Sequence, residues 1–172
     1  FFEKLNPAAL PARFNWAAEV FEGLHVKERG DQLALIWTDL DTDAERKFSY
    51  KEMAANANRF LNLVRSKGVD RGDNLYMITP IVPETWFASL AGLKGGLVSV
   101  PTATSMTERE IQFRFETYKP DVILCFEGMA DFVDDALKTS NCTPKAKIVL
   151  GQKEGWLSYG ETEQQPAEAQ PA

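Results

Sequence analysis

A chain of 172 residues with 44% hydrophobic and 26% charged residues has the length and balance of one globular domain, or of part of a larger one. Nineteen Lys and Arg against 25 Asp and Glu leave a formal net charge of −6, which argues against nucleic-acid binding by phosphate neutralisation, and no apolar run approaches the roughly 18 residues of a membrane span. Cys125 and Cys142 are the only cysteines and His25 the only histidine, which removes disulfide frameworks, zinc knuckles and H-E-x-x-H metalloproteases and suits a reducing, cytoplasmic setting.

The chain starts FFEKLNPAAL. It has no basic stretch followed by an apolar core, so no signal peptide is expected, and without an initiator Met the front is expected to be trimmed or processed. Asn15 to Leu24 places Trp16, Val20, Phe21 and Leu24 at helical spacing behind a capping Asn15. His25 then falls at a helix end, where a histidine complements the dipole more simply than it serves as a base. Leu33–Thr38 and Arg46–Tyr50 read as two strands of a hairpin. The turn between them, DLDTDAE, offers carboxylates, but Ala44 and Tyr50 stand where a calcium loop needs Gly and Glu, so it reads as a solvated turn.

Ser49 and Glu52 form a capping box. Behind it Tyr50, Met53, Ala54, Ala57, Phe60, Leu61 and Val64 make one apolar face up to a stop at Gly68. The pattern then alternates: strand Asn74–Thr79, a helix from Pro83, strand Leu97–Val100, a helix capped by Thr107 and Glu110, strand Val122–Phe126, a helix with Met129, Phe132, Val133, Ala136 and Leu137, and strand Lys147–Leu150. Strand and helix recurring at this period predict an α/β fold. Its expected form is an open, mostly parallel sheet of repeated βαβ units, preceded by an N-terminal helix and a β-hairpin. Residues 1–150 are assigned to that body. Residues 151–172 carry four glutamates against Lys153 alone, half of the net charge, and read as an acidic linker or frayed terminus unable to order itself.

In open α/β sheets ligands collect at the carboxyl ends of the strands. The loop PTATSMT there holds Thr102, Thr104, Ser105 and Thr107, hydroxyls that could meet a phosphate or carbonyl or serve only as turn chemistry. No G-x-G and no phosphate-loop motif occurs, and Gly92, Gly95 and Gly96 end a helix, where glycine is a C-cap device.

The stretch FSYKEMAANANRFLNLVRSKGVDRGDNLYMI, followed by PETWFASLAGLKGGLVSVPTATSMTEREIQFRF, resembles the N-terminal part of AMP-forming acyl-CoA synthetases of the adenylate-forming superfamily, from about Asn15 to Tyr159. Pro83-Glu84-x-Trp86 and the EGWLSY of Glu154 to Tyr159 are most similar to the medium-chain branch, and the first of them argues against a luciferase-like or peptide-synthetase adenylation domain. The resemblance implies a two-step reaction using ATP, Mg²⁺ and CoA, in which a carboxylic acid becomes an acyl-adenylate and then a thioester. The family's phosphate loop would fall just beyond Ala172, so the chain alone is expected to be inactive. The loop matching Ala103 to Ser105 borders the CoA site in acetate-specific relatives, which makes Thr104 and Ser105 the candidate CoA-binding residues. The arginines those relatives place after the strand matching VILCF are absent from EGMADFVDD. An exposed apolar flank, with dimerisation through it, is expected of a synthetase portion. The rival reading, a self-contained flavodoxin-like binding module, requires covered sheet edges.

Overall fold

The computed structural model of the chain describes residues 12–172. The stretch read above for a signal peptide, and with it the start of the body assigned to 1–150, lies outside the described residues. Asn15 Oδ1 accepts from the Ala18 N–H at 3.0 Å and opens the first helix, as its residue type favours. That helix is wound as a π-helix over Ala17–Val26 and runs on into α1, Lys27–Arg29. Ala17 and Phe21 are buried and Trp16 and Leu24 exposed, so only part of the apolar run at helical spacing reaches the core. His25 lies in its last turn, with Nδ1 3.1 Å from the Arg29 guanidinium.

β1, Leu33–Thr38, and β2, Glu45–Ser49, pair antiparallel. In the acidic turn between them the Asp41 N–H donates to Asp39 Oδ1 at 2.9 Å, the local side-chain bond that makes Asp a turn residue. α2, Tyr50–Ser66, starts on the predicted capping box, and its predicted apolar face is buried. The sheet comprises β3 (Asn74–Ile78), β4 (Val98–Pro101), β5 (Val122–Phe126), β6 (Ala146–Leu150) and β7 (Leu157–Ser158), in the order β4-β3-β5-β6-β7 and parallel throughout. α3 (Pro83–Gly95), α4 (Glu108–Thr117) and α5 (Ala130–Ser140) make the crossovers.

A parallel sheet covered on both faces needs strands apolar on both, and β3 and β5 are. Leu75, Met77, Val122 and Leu124 pack with Phe60, Leu61 and Phe87 of α2 and α3. Tyr76, Ile78, Ile123 and Cys125 pack with Phe115 of α4 and Val133 of α5. The Tyr76 hydroxyl donates to the Tyr118 carbonyl at 2.7 Å, an acceptor that the end of α4 leaves open, and lies 3.1 Å from the Arg114 carbonyl, which also accepts from the Tyr118 N–H.

Residues 151–172 do not fray. β7 extends the sheet, and a 3₁₀ segment, Tyr159–Gln164, follows with Ser158 and Glu161 as a capping box. Beyond it, α2 supplies donors to the tail's carbonyls. Asn58 reaches Ala167 at 3.0 Å, Asn62 reaches Pro166 and Glu168 at 2.9 and 2.8 Å, and Arg65 reaches Gln170 at 2.6 Å. The tail is too polar to form a core of its own; side-chain amides of a rigid helix order it instead.

Candidate functional site

From β3 the chain crosses to β4 on one side and then to β5 on the other. The β3/β5 boundary is therefore the topological switch point, where loops leave in opposite directions and open a crevice at the carboxyl ends. Such a cavity is present there, of about 430 Å³, walled by Pro80 and Val82 after β3, Phe126 of β5, Gly151 after β6, and Ser158 and Tyr159 at the end of β7. Glu84, in the first turn of α3, completes it. The helix begins on Val82, which gives no side-chain cap, with Pro83 in its first turn, where its missing N–H costs nothing.

The polar groups of the crevice are few. Glu84 pairs with Arg46 of β2 at 2.8 Å, and its position at a helix N-terminus also favours its charge. The Tyr159 ring stacks on Phe60 at 5.9 Å. Its hydroxyl is buried and has no hydrogen-bond partner among the described residues. Burial, with Glu84 adding to it, pushes that phenol well above its ordinary range. The Trp37 indole N–H donates to the Ile81 carbonyl at 2.8 Å, tying the hairpin to the rim.

The segment leading to Tyr159 is held from α5 and β6. Asp134 accepts from Lys147 at 2.7 Å and from the Trp156 indole at 3.1 and 3.2 Å, and the Lys147 ammonium lies 4.9 Å over the Trp156 ring. Burial would raise the Asp134 carboxyl, but the bonds from Lys147 and Trp156 outweigh it and hold the group below its usual range. Cys125, the buried cysteine of β5, is pushed up to about 12 by burial, so it remains a thiol and not a nucleophile.

Of the four hydroxyls in the loop after β4, two are consumed by the fold. Thr102 is buried, with its hydroxyl on the Val100 carbonyl at 3.2 Å, and Thr107 caps α4. Thr104 is half-buried and Ser105 exposed. Neither side chain makes a hydrogen bond among the described residues, and neither lines the crevice. The structure thus leaves the two candidates chemically free without bringing them to the switch point. No arginine follows β5; Glu127, Asp131, Asp134 and Asp135 stand there instead, a set that does not fit a CoA phosphate. Among the described residues no group of His, Cys, Asp and Glu is arranged to hold a metal ion, and no helix is long and apolar enough to cross a membrane.

Sequence reasoning passed over the crevice residues Glu84 and Tyr159 as site residues. Their signal lay in the two strings that carry the resemblance. Glu84 of the first and Ser158 and Tyr159 of the second, far apart in sequence, line one cavity.

Residues 24–172 match the family described as "AMP-binding enzyme". The chain belongs to that family. It is 40% identical over 146 residues to 4-hydroxybutyrate--CoA ligase 1 of Metallosphaera sedula, covering 85% of this chain and 26% of that protein. It is 31% identical over 175 residues to the mitochondrial acyl-coenzyme A synthetase ACSM4 of Rattus norvegicus, covering 97% and 30%. Among solved structures, the anthranilate CoA ligase AuaEII, in complex with anthranoyl-AMP, superposes with a TM-score of 0.83 at 20% identity, over 98% of this chain and 31% of that one. The Brucella canis acyl-CoA synthetase gives 0.83 at 17% identity, over 99% and 32%. The parallel sheet with its leading hairpin is therefore the fold of the N-terminal part of AMP-binding enzymes, and the chain spans about a quarter to a third of the length of the relatives it matches.

Proposed function

We propose that the chain is the N-terminal α/β portion, residues 1–150 with 151–172 as the strap that follows, of a cytoplasmic AMP-forming acyl-CoA synthetase that activates a medium-chain carboxylic acid. The observation that carries this reading is the meeting of Glu84, from one of the strings most similar to the medium-chain branch, with Ser158 and Tyr159, from the other, at the switch-point crevice. ATP, Mg²⁺ and CoA are the proposed cofactors. The chain holds no glycine-rich phosphate loop, so it supplies a wall of the site and not the groups that would offset phosphate charge. Its partners are the acid, ATP and CoA, with a second copy of the chain on an apolar flank.

Two measurements test the reading. The 172-residue chain, given ATP, Mg²⁺ and a medium-chain acid, is expected to release no pyrophosphate. A longer protein that continues through a Ser/Thr/Gly-rich loop is expected to release it only with acid present, and AMP-coupled thioester only with CoA. Pyrophosphate from the short chain would refute the placement of the loop. A preference of the longer protein for 4-hydroxybutyrate over octanoate would move the substrate toward that of the Metallosphaera relative.

Thr104 and Ser105 are the proposed contacts for the uncharged part of CoA, since two free hydroxyls without a cation suit amide and carbonyl groups better than phosphate. In the longer protein Ser105→Trp is expected to raise the Michaelis constant for CoA about tenfold, the equivalent of about 1.4 kcal/mol, with that for ATP unchanged. Unaltered CoA kinetics would remove Ser105 from the site.

A further inference from the structure

Asn58, Asn62 and Arg65 stand at i, i+4 and i+7 of α2, a spacing that sets three side chains along one helix face. Each donates to main-chain carbonyls of residues 166–170, and among the described residues none of them bonds a side chain there. The strap meets them as an extended chain. Residues 165, 167 and 169 are half-buried and 166, 168 and 170 exposed, the period of two of a strand. Ala167 and Ala169 hold inner positions, and Ala169 packs against the core. Pro166 and Pro171 carry no N–H, so what the strap offers α2 is mainly acceptors.

Two of these side chains define a register. Asn62 uses both amide hydrogens, on Pro166 at 2.9 Å and on Glu168 at 2.8 Å, and so spans one repeat of the extended chain. Asn58 is buried and can be oriented in one way only. Its Oδ1 accepts from the Lys94 ammonium at 2.9 Å, which leaves Nδ2 for the Ala167 carbonyl at 3.0 Å. The Lys94 carbonyl in turn accepts from the Ala172 N–H at 3.0 Å. Lys94 thus grips the strap twice, through Asn58 and through its own backbone. A slip of one residue would turn Ala167 and Ala169 outward and press Glu168 and Gln170 against α2.

We propose that this ladder is a positioning device. Asn62, with Asn58 and Arg65, fixes the register in which the strap passes from α2 to the end of α3, and so sets where the phosphate-binding loop of the longer protein stands. The three side chains touch no substrate; they act through the backbone they hold. The positioning role rests on the ligase reading above, whereas the ladder itself does not.

Steady-state kinetics of the longer protein, with hydrogen exchange at the Ala172 amide, test it. Asn62→Asp keeps the side-chain shape but sets carboxylate oxygens against two carbonyls. It is expected to raise the Michaelis constant for ATP about tenfold with kcat held within about twofold. The Ala172 amide is expected to exchange about tenfold faster or more, as its bond to Lys94 opens. Arg65→Met, at the solvent end of the ladder, is expected to move both readouts the same way, and Arg65→Lys, which keeps a cationic donor, to restore most of both. A merely structural role would lower the active fraction, and with it kcat, and leave the Michaelis constant alone. Unchanged exchange in Asn62→Asp and Arg65→Met would overturn the ladder. Faster exchange with an unchanged Michaelis constant for ATP would overturn its positioning role. A longer protein that releases no pyrophosphate even unmodified would overturn the ligase reading and the positioning role with it, while exchange at Ala172 would still decide the ladder.

Discussion

Lys94→Met is expected to destabilise the chain by about 3–5 kcal/mol in denaturant unfolding, the cost of removing one partner of a buried ion pair. The Lys94 side chain is only 4% exposed. Its ammonium donates to both oxygens of Glu22 at 2.7 Å and to Asn58 Oδ1 at 2.9 Å, so all three protons are used. Those partners stand on the π-helix and on α2, while Lys94 stands on α3. Methionine fills the same space and leaves a carboxylate and an amide oxygen facing an apolar stem. Pairing Lys94→Met with Glu22→Leu removes the stranded charge and is expected to recover more than half of the loss, since apolar replacement of a whole buried pair is often neutral. A single-variant cost below about 1 kcal/mol would show that water reaches Glu22 and that the network does not hold the three helices together.

Lys94 also marks where sequence reading stops. A lysine two residues before the glycine stop matches the rule that cations favour helix C-termini, and nothing local separates a solvated lysine from one whose partner lies 72 positions away. The legible features are those whose cause is local. Both expected capping boxes, at Ser49 and Thr107, are closed, because each depends on residues three apart. The short continuous apolar runs of β3 and β5, buried on both faces, and the apolar stripe of α2 follow from residue type and spacing alone. The π-winding of Ala17–Val26 is not legible, because Trp16, Val20, Phe21 and Leu24 fit a wider helix as well as an α-helix over so short a run.

The candidate site divides in the same way. Thr107 is legible as a cap, whereas Thr104 and Ser105 stand out only through the resemblance, since nothing in the sequence separates them from Thr102, which the fold buries. The crevice is not, because Glu84, Phe126 and Tyr159 reach it from three separate strand ends. Only the strand order, with its reversal between β3 and β5, shows that those ends adjoin. The acidic tail shows the limit of composition. Its low apolar content describes what it cannot do alone, and Asn58, Asn62 and Arg65 are not part of that composition.

Gly92, Gly95 and Gly96 pose the same problem within five residues, and they yield opposite expectations. Gly96 alone acts as the left-handed helix stop, at φ 66°. The other two lie inside α3, where alanine would ordinarily gain about 1 kcal/mol in helix propensity. At Gly92 the added carbon would meet the Ser99 hydroxyl at 2.6 Å; that group can rotate aside, so Gly92→Ala is expected to change stability by less than about 0.5 kcal/mol. At Gly95 it would sit 2.5 Å from Leu61 Cδ1. Leu61 is fully buried where α2 crosses α3, in a core packed too densely to absorb a methyl group. Overpacking of this kind outweighs the propensity gain, and Gly95→Ala is expected to cost about 2 kcal/mol net. Combining it with Leu61→Val, which shortens the colliding branch, is expected to reveal a favourable coupling of about 1 kcal/mol in a double-mutant cycle. Additive costs would mean that α3 shifts as a unit against α2 and that Gly95 is, after all, only part of the stop.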